Sequence, residues 1–168
     1  MQQEYPYTTL TAREFSKAYN EAYLRFYESV LLEFENGSAR PAEEQILSDV
    51  FSCAAEIATA KMMNKYWSGG IAYKASDVGF GFEVRSTKHK NGHLIISEDD
   101  DPKPPYLLCL IEGGCRVTDY RYILVGWMFG FDAQQEQFRK NDYQGSFWVP
   151  QSKLMSMESL KTRNKDRR

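Results

Sequence analysis

Residues 77–96 read DVGFGFEVRSTKHKNGHLII. From residue 80 onward apolar and polar side chains alternate. On an extended strand Phe80, Phe82 and Val84 point one way, and Gly81, Glu83, Arg85 and Thr87 the other. The apolar row marks the core face. The opposite row carries an acid and a base two residues apart, about 7 Å along the strand. Asp77 stands just before Gly79, and a hairpin bend there brings its carboxylate back toward Glu83. Two carboxylates that close repel each other, which raises one pKa unless a cation neutralises them. Mg²⁺ or Mn²⁺ suits oxygen ligands of this kind.

Upstream of this stretch the periodicity is helical. In TAREFSKAYNEAYLRFYESVLLEFENG the residues Phe15, Ala18, Ala22, Phe26, Ser29, Val30 and Leu32 fall near one stripe. Thr11 with Glu14 makes a capping box, and Asn36-Gly37 ends the helix. A second helix is expected from about Pro41 to Trp67, closed by Ser68-Gly69-Gly70, with Ile46, Val50, Cys53, Ala54, Ile57 and Met62 inward. After Gly70 the period becomes two. Strands are expected around 72–78, 80–87, 92–97, 105–111 and 116–129, separated by Gly79, Asn91-Gly92, Asp101-Pro102, Pro104-Pro105 and Gly113-Gly114. A short helix near Ala133–Arg139, a strand at GSFWVP and a closing helix over Ser152–Leu160 complete the chain. Helices first and a mostly antiparallel sheet after them predict an α/β (α+β) fold.

A chain of 168 residues that is 42% hydrophobic supports one domain. Within it 1–40 reads as an N-terminal helical extension, 41–160 as the core and 161–168 as a basic tail. A net charge of -2 argues against an overall basic nucleic-acid coat but leaves room for a local basic groove. No apolar run reaches the roughly 18 residues of a membrane span, and MQQEYPYTTL lacks the basic start and apolar stretch of a secretory signal. A soluble, cytoplasmic protein with no membrane partner is the expectation. Cys53, Cys109 and Cys115 are dispersed, without CxxC spacing, which suggests reduced and mostly packed thiols. His89 and His93 have a spacing that can bind metal on a helix, but Asn91-Gly92 breaks any helix there and favours a turn.

The order Asp77, a short gap, then Glu83-x-Arg85 resembles the signature of the PD-(D/E)xK nuclease superfamily, the restriction-endonuclease-like fold. It matches except in the last letter, where the family carries lysine. Glu56, in AAEIATAKMMNKYW, stands where many members have a glutamate on the preceding helix. VGW at 125–127 and FWVPQSKL at 147–154 also resemble segments of small phage and prokaryotic members, so the likeness spans roughly residues 45–155. The resemblance implies a metal-dependent nuclease of phage or bacterial cells that cleaves DNA with Mg²⁺ or Mn²⁺. Asp77 and Glu83 would be metal ligands, with the Val84 carbonyl as a further one, and Glu56 would bind directly or through water. Arg85 would stand in the lysine's place in the catalytic set. It stays protonated, so it can hold a phosphate but cannot act as a base.

Plainer readings stand beside these. Glu83 and Arg85 also suit a surface ion pair, and Glu56 an ordinary helix position. The acidic run at 98–101 reads as a solvated turn, since it lacks the glycine and terminal glutamate of a calcium loop. Tyr106, Trp127, Phe147 and Trp148 fit the core better than base stacking, and Gln151 fits a structural role. Lys61 and Lys74 reach the site only if the fold bends them there, and Lys88 is expected on the opposite side. Two rival functions remain: a non-catalytic nucleic-acid-binding or phage interaction module that keeps the fold, and an assembly protein forming a homodimer through the aromatic N-terminal helix.

Overall fold

Thr11 opens the first helix as its capping box predicts. Its backbone N–H donates to Glu14 Oε2 at 2.7 Å, and the Glu14 N–H donates to Thr11 Oγ1 at 3.2 Å. The computed structural model describes residues 5–31, 41–69, 76–79, 81–140 and 145–160. Helix α1 spans Ala12–Leu31 and α2 spans Ala42–Met63. The expected end of α1 at Asn36-Gly37, with Leu32, lies outside the described residues, as does the basic tail. Helix α2 stops four residues short of Trp67. Asn64 turns left-handed at φ 51° and its N–H caps the carbonyls of Ala60 and Lys61, which frees Trp67 to run extended and bridge Val78.

The strands are β1 (Tyr7–Thr8), β2 (Glu83–Thr87), β3 (Leu94–Ser97), β4 (Pro105–Glu112), β5 (Arg121–Phe129) and β6 (Ser146–Val149). They form a four-stranded sheet in the order β1-β5-β4-β2 and a two-stranded sheet of β3 and β6. Among the described residues only β2 and β4 run parallel. The fold is thus α+β, with a mixed, mostly antiparallel sheet flanked by helices. Among the described residues no helix is long and apolar enough to cross a membrane.

Strand β4 explains the layering. Its apolar run is buried on both faces, as continuous rather than alternating patterns require. Leu107, Cys109 and Ile111 join a core with α1, α2 and Val84. Tyr106, Leu108 and Leu110 join a second one with Leu94, Ile96 and Val149 of the small sheet. Helix α2 lies in the middle of the first core. Its residues from Cys53 to Ala60 are all buried, because α1 covers one side and the sheet another. Ala18 and Ala22 of α1 are fully buried in that same core, so α1 is a wall of it.

Several boundaries differ from expectation for local reasons. The strand expected at 116–129 begins at Arg121, because Arg116–Asp119 close a turn in which Asp119 caps the Arg116 N–H at 3.2 Å. Of the strand expected at 72–78, residues 72–75 lie outside the described residues, and 76–79 pair only through bridges at Val78. The short helix starts earlier, as α3 (Gly130–Ala133), and gives way to a 3-10 turn at Glu136–Phe138. The closing helix is interrupted: a 3-10 turn at Gln151–Lys153 precedes Met155, which bridges Trp127, and helix resumes only over 157–160.

Candidate functional site

The bend at residues 78–82 is a tight hairpin. The Val78 N–H donates to the Phe82 carbonyl at 3.1 Å and the Phe82 N–H to the Val78 carbonyl at 3.3 Å. Gly79 and Gly81 hold φ of 57° and 106°, a backbone that L side chains rarely adopt. Phe82 and Val84 are buried in the core, while Glu83, Arg85 and Thr87 are half-buried. The alternation therefore holds over the described part of the stretch; Phe80 lies outside it. The hairpin returns Asp77 to β2, where Asp77 Oδ2 accepts the Val84 N–H at 2.7 Å.

Asp77 and Glu83 meet there. Each of the two carboxyls acts on the other's ionisation, so they titrate together rather than one by one. Burial, then the charges of Glu56 and Glu83, push the Asp77 carboxyl up to about 7, against the pull of the Val84 N–H and Arg85. Burial also raises Glu83 above its ordinary value; Asp100 and Glu56 add to this, and Arg85 and the bond to Asp77 oppose it.

Glu56 reaches this neighbourhood from α2 but is held elsewhere. Arg25 of α1 grips it with two parallel bonds, Nη1 to Oε1 and Nη2 to Oε2, each 2.9 Å. The Trp67 indole N–H adds a third, to Oε2 at 2.9 Å. Only 4% of Glu56 is exposed. Arg25 also takes Glu21 Oε1 at 3.3 Å. Burial works against its charge, but the bonds and charge of Glu56 hold its pKa above the ordinary arginine value.

Arg85 has a partner of its own. Its Nη2 donates to Asp100 Oδ2 at 2.9 Å, the guanidinium lies 5.0 Å from the centre of the Tyr106 ring, and Nη1 lies 3.5 Å from the Val84 carbonyl oxygen. Asp100 is fixed in turn by the Ser97 N–H at 2.9 Å. The acidic run is thus not simply a solvated turn. Asp100 points into the site, Glu98 pairs with Arg139 at 3.3 Å, and Asp101 Oδ1 accepts the Lys103 N–H.

The remaining candidates settle outside the site. Lys61 turns to α1, donating to Glu14 Oε2 at 3.0 Å. Lys88 lies over the Phe51 ring at 3.3 Å, and Lys74 lies outside the described residues. Tyr106, Trp127 and Phe147 are buried and Trp148 half-buried. The Gln151 amide donates to the carbonyls of Lys90 and Gly92, a structural tie. Residues 89–92 form a turn closed by the Gly92 N–H on the His89 carbonyl. Sequence reasoning missed Arg25, Trp67 and Asp100. Arg25 carried one signal, a base within the buried stripe of α1 between Ala22 and Phe26.

The result is a cluster of carboxylates about two guanidinium groups. Arg25 is bonded to Glu56 and Glu21, and Arg85 to Asp100. Among the described residues neither Asp77 nor Glu83 has such an ion pair. Nor do the described residues gather three or more His, Cys, Asp or Glu as a ligand set. The adjacent, uncompensated pair of Asp77 and Glu83 fits one hard divalent cation, which uses one or two carboxylates and completes its shell with water or substrate oxygens. Comparison with protein-family models, with curated proteins and with solved structures finds no match to this chain.

Proposed function

We propose that the chain is a metal-dependent nuclease that hydrolyses phosphodiester bonds of DNA on a restriction-endonuclease-like core. The observation that carries this reading is the Asp77–Glu83 pair: two carboxyls in contact, half-buried, between two acids that arginines already neutralise. Asp77 and Glu83 would hold Mg²⁺ or Mn²⁺, which when bound supplies a water of lowered pKa and neutralises charge on the phosphate. The Val84 N–H orients Asp77 through Oδ2. Because burial pushes Asp77 up to about 7, a cation at the pair would favour its ionised form and would bind more tightly as pH rises. Arg85 accepts no proton. Its role is to donate to a non-bridging phosphate oxygen, and Asp100 and Tyr106 hold its guanidinium beside the pair.

The test is nicking of supercoiled plasmid and cleavage of single-stranded, duplex and branched DNA in Mg²⁺ and Mn²⁺. Wild type is expected to cleave, and Glu83→Gln to lose cleavage by at least about 100-fold, the scale of removing a positioned charge from a hydrolytic centre. Equal activity in both proteins assigns the cleavage to a contaminant. No cleavage of any substrate by wild type supports the second reading, a non-catalytic nucleic-acid-binding module, which the arginine in the lysine's place favours.

A further inference from the structure

If Glu56 were a ligand, the site would offer three carboxylates and room for a second cation. The contacts argue otherwise. Both Glu56 oxygens accept hydrogen bonds, one from Arg25 alone and one from Arg25 and Trp67. A bidentate guanidinium is the strongest partner a protein offers a carboxylate, and it fixes orientation as well as charge. Yet Glu56 stays close enough for its charge to act on Asp77 and Glu83. Arg25 is also bonded to Glu21, so both guanidinium groups are already paired, and the carboxyls left to a cation are Asp77 and Glu83, two charges when ionised, the complement of one divalent cation.

We infer that Arg25 is a permanent counter-charge built into the site from α1. It withdraws Glu56 from the ligand set, and it limits the site to a single divalent cation held by Asp77 and Glu83. Arg25 is a positioning residue on this account, and α1 is part of the site's electrostatics. The inference rests on the cation reading proposed above. It departs from what the resemblance implies for Glu56.

The test is calorimetric titration of the full chain with Mn²⁺, after circular dichroism shows each variant folded. Wild type is expected to bind one Mn²⁺. Glu56→Gln still binds one Mn²⁺ because no ligand is lost, but about tenfold more weakly because Arg25 then lacks part of its counter-charge. The Arg25→Gln/Glu56→Gln double variant, which removes both charges and no ligand, returns Kd to within about threefold of wild type. Glu83→Gln loses binding. Arg25→Gln uncovers the Glu56 charge and tightens Mn²⁺ at least about tenfold or admits a second ion, because an unscreened carboxylate in a buried site acts strongly on a divalent charge. Arg25→Lys, which keeps the charge, stays at one ion and serves where Arg25→Gln does not fold. Loss of Mn²⁺ binding in Glu56→Gln, or a second ion in Arg25→Lys, overturns the inference. Unchanged binding in a folded Arg25→Gln also overturns it, reducing the pair to a structural one. Failure of wild type itself to bind Mn²⁺ removes the cation reading, and this inference with it.

Discussion

Two arginine–carboxylate pairs flank the same carboxyl dyad, and they are built differently. Arg25 and Glu56 share two bonds, Trp67 contributes a third, and the Glu56 side chain is 5% exposed. Arg85 and Asp100 share one bond, with side chains 32% and 27% exposed. In the first pair Arg25 is 29% exposed but Glu56 is closed to water; in the second water reaches both partners. A deeply buried ion that loses its partner leaves an uncompensated charge, whereas a partly exposed one is rehydrated. The first pair therefore belongs to the architecture of the fold, tying α1 to α2. The second is a contact that can open when a ligand competes for the guanidinium.

The largest effect should come from breaking the buried pair on one side. Arg25→Met is expected to cost about 3–5 kcal/mol, the scale for stranding a buried charge. Urea denaturation followed by circular dichroism measures it. Adding Glu56→Leu to Arg25→Met should recover most of that loss, because an apolar pair needs no compensation. A loss below about 1 kcal/mol in the single variant would make the buried pair behave like a surface one and erase the contrast.

The same contrast explains what could be read from the sequence. The Asp77–Glu83 encounter was legible because it is local. Gly79 and Gly81 make the bend, alternation orients Glu83, and seven residues of chain bring Asp77 to the Val84 N–H. The capping box of α1 and the buried face of α2 were legible for the same reason. The Arg25–Glu56 and Arg85–Asp100 pairs were not, because their partners are 31 and 15 residues apart. No periodicity encodes which helix lies over Glu56, and an acidic turn gives no sign of which acid points inward. Burial of β4 on both faces was foreseeable from its continuous apolar run. That β3 and β6 would leave the main sheet to cover its second face was not, since both alternate like any half-buried strand. Strand β1 is two residues long, too short to carry a pattern.

The dyad between the pairs should make stability depend on pH. Asp77 has an ordinary value of 3.8 and is pushed to about 7 in the fold. Between those values the folded state binds the extra proton. The stability from this group is therefore complete below about pH 4 and is lost as pH rises through about 7. The loss is on the order of 2–4 kcal/mol. It is read as the difference between wild type and Asp77→Asn in urea midpoints at pH 5 and pH 8, because other groups titrate in both proteins. Wild type should fall more steeply, and Mn²⁺ at pH 8 should restore wild type alone. Parallel profiles would mean that Asp77 ionises normally and that the dyad imposes no strain.

A smaller effect isolates the third bond on Glu56. Trp67→Phe removes the indole N–H and leaves Arg25 in place, so it should cost about 1.5–3 kcal/mol, the range for a hydrogen bond to a charged group. Urea denaturation again measures it. The same substitution in Glu56→Gln should cost less, since the acceptor is then neutral. Equal costs in the two backgrounds would assign the loss to packing of the ring against the Gly69 turn rather than to the bond.

The smallest effect on stability, and the one that most sharpens the contrast, belongs to Asp100→Asn. The amide oxygen still accepts the Ser97 N–H, so the turn at 97–100 keeps its tie, and only the charge opposite Arg85 disappears. A partly exposed pair of this kind contributes about 0–1 kcal/mol, so the urea midpoint should barely move. DNA affinity should move instead. With Asp100 neutral, the guanidinium no longer divides its charge between a carboxylate and a phosphate. Binding of a short duplex in chelator, followed by fluorescence anisotropy, should then tighten severalfold and grow more sensitive to salt, as an added phosphate contact requires. Arg85→Ala should weaken binding and flatten that salt dependence, with the fold intact. If Asp100→Asn instead costs more than about 2 kcal/mol, beyond the usual range of an exposed pair, Arg85 and Asp100 are as structural as Arg25 and Glu56, and Arg85 is not free to meet a phosphate.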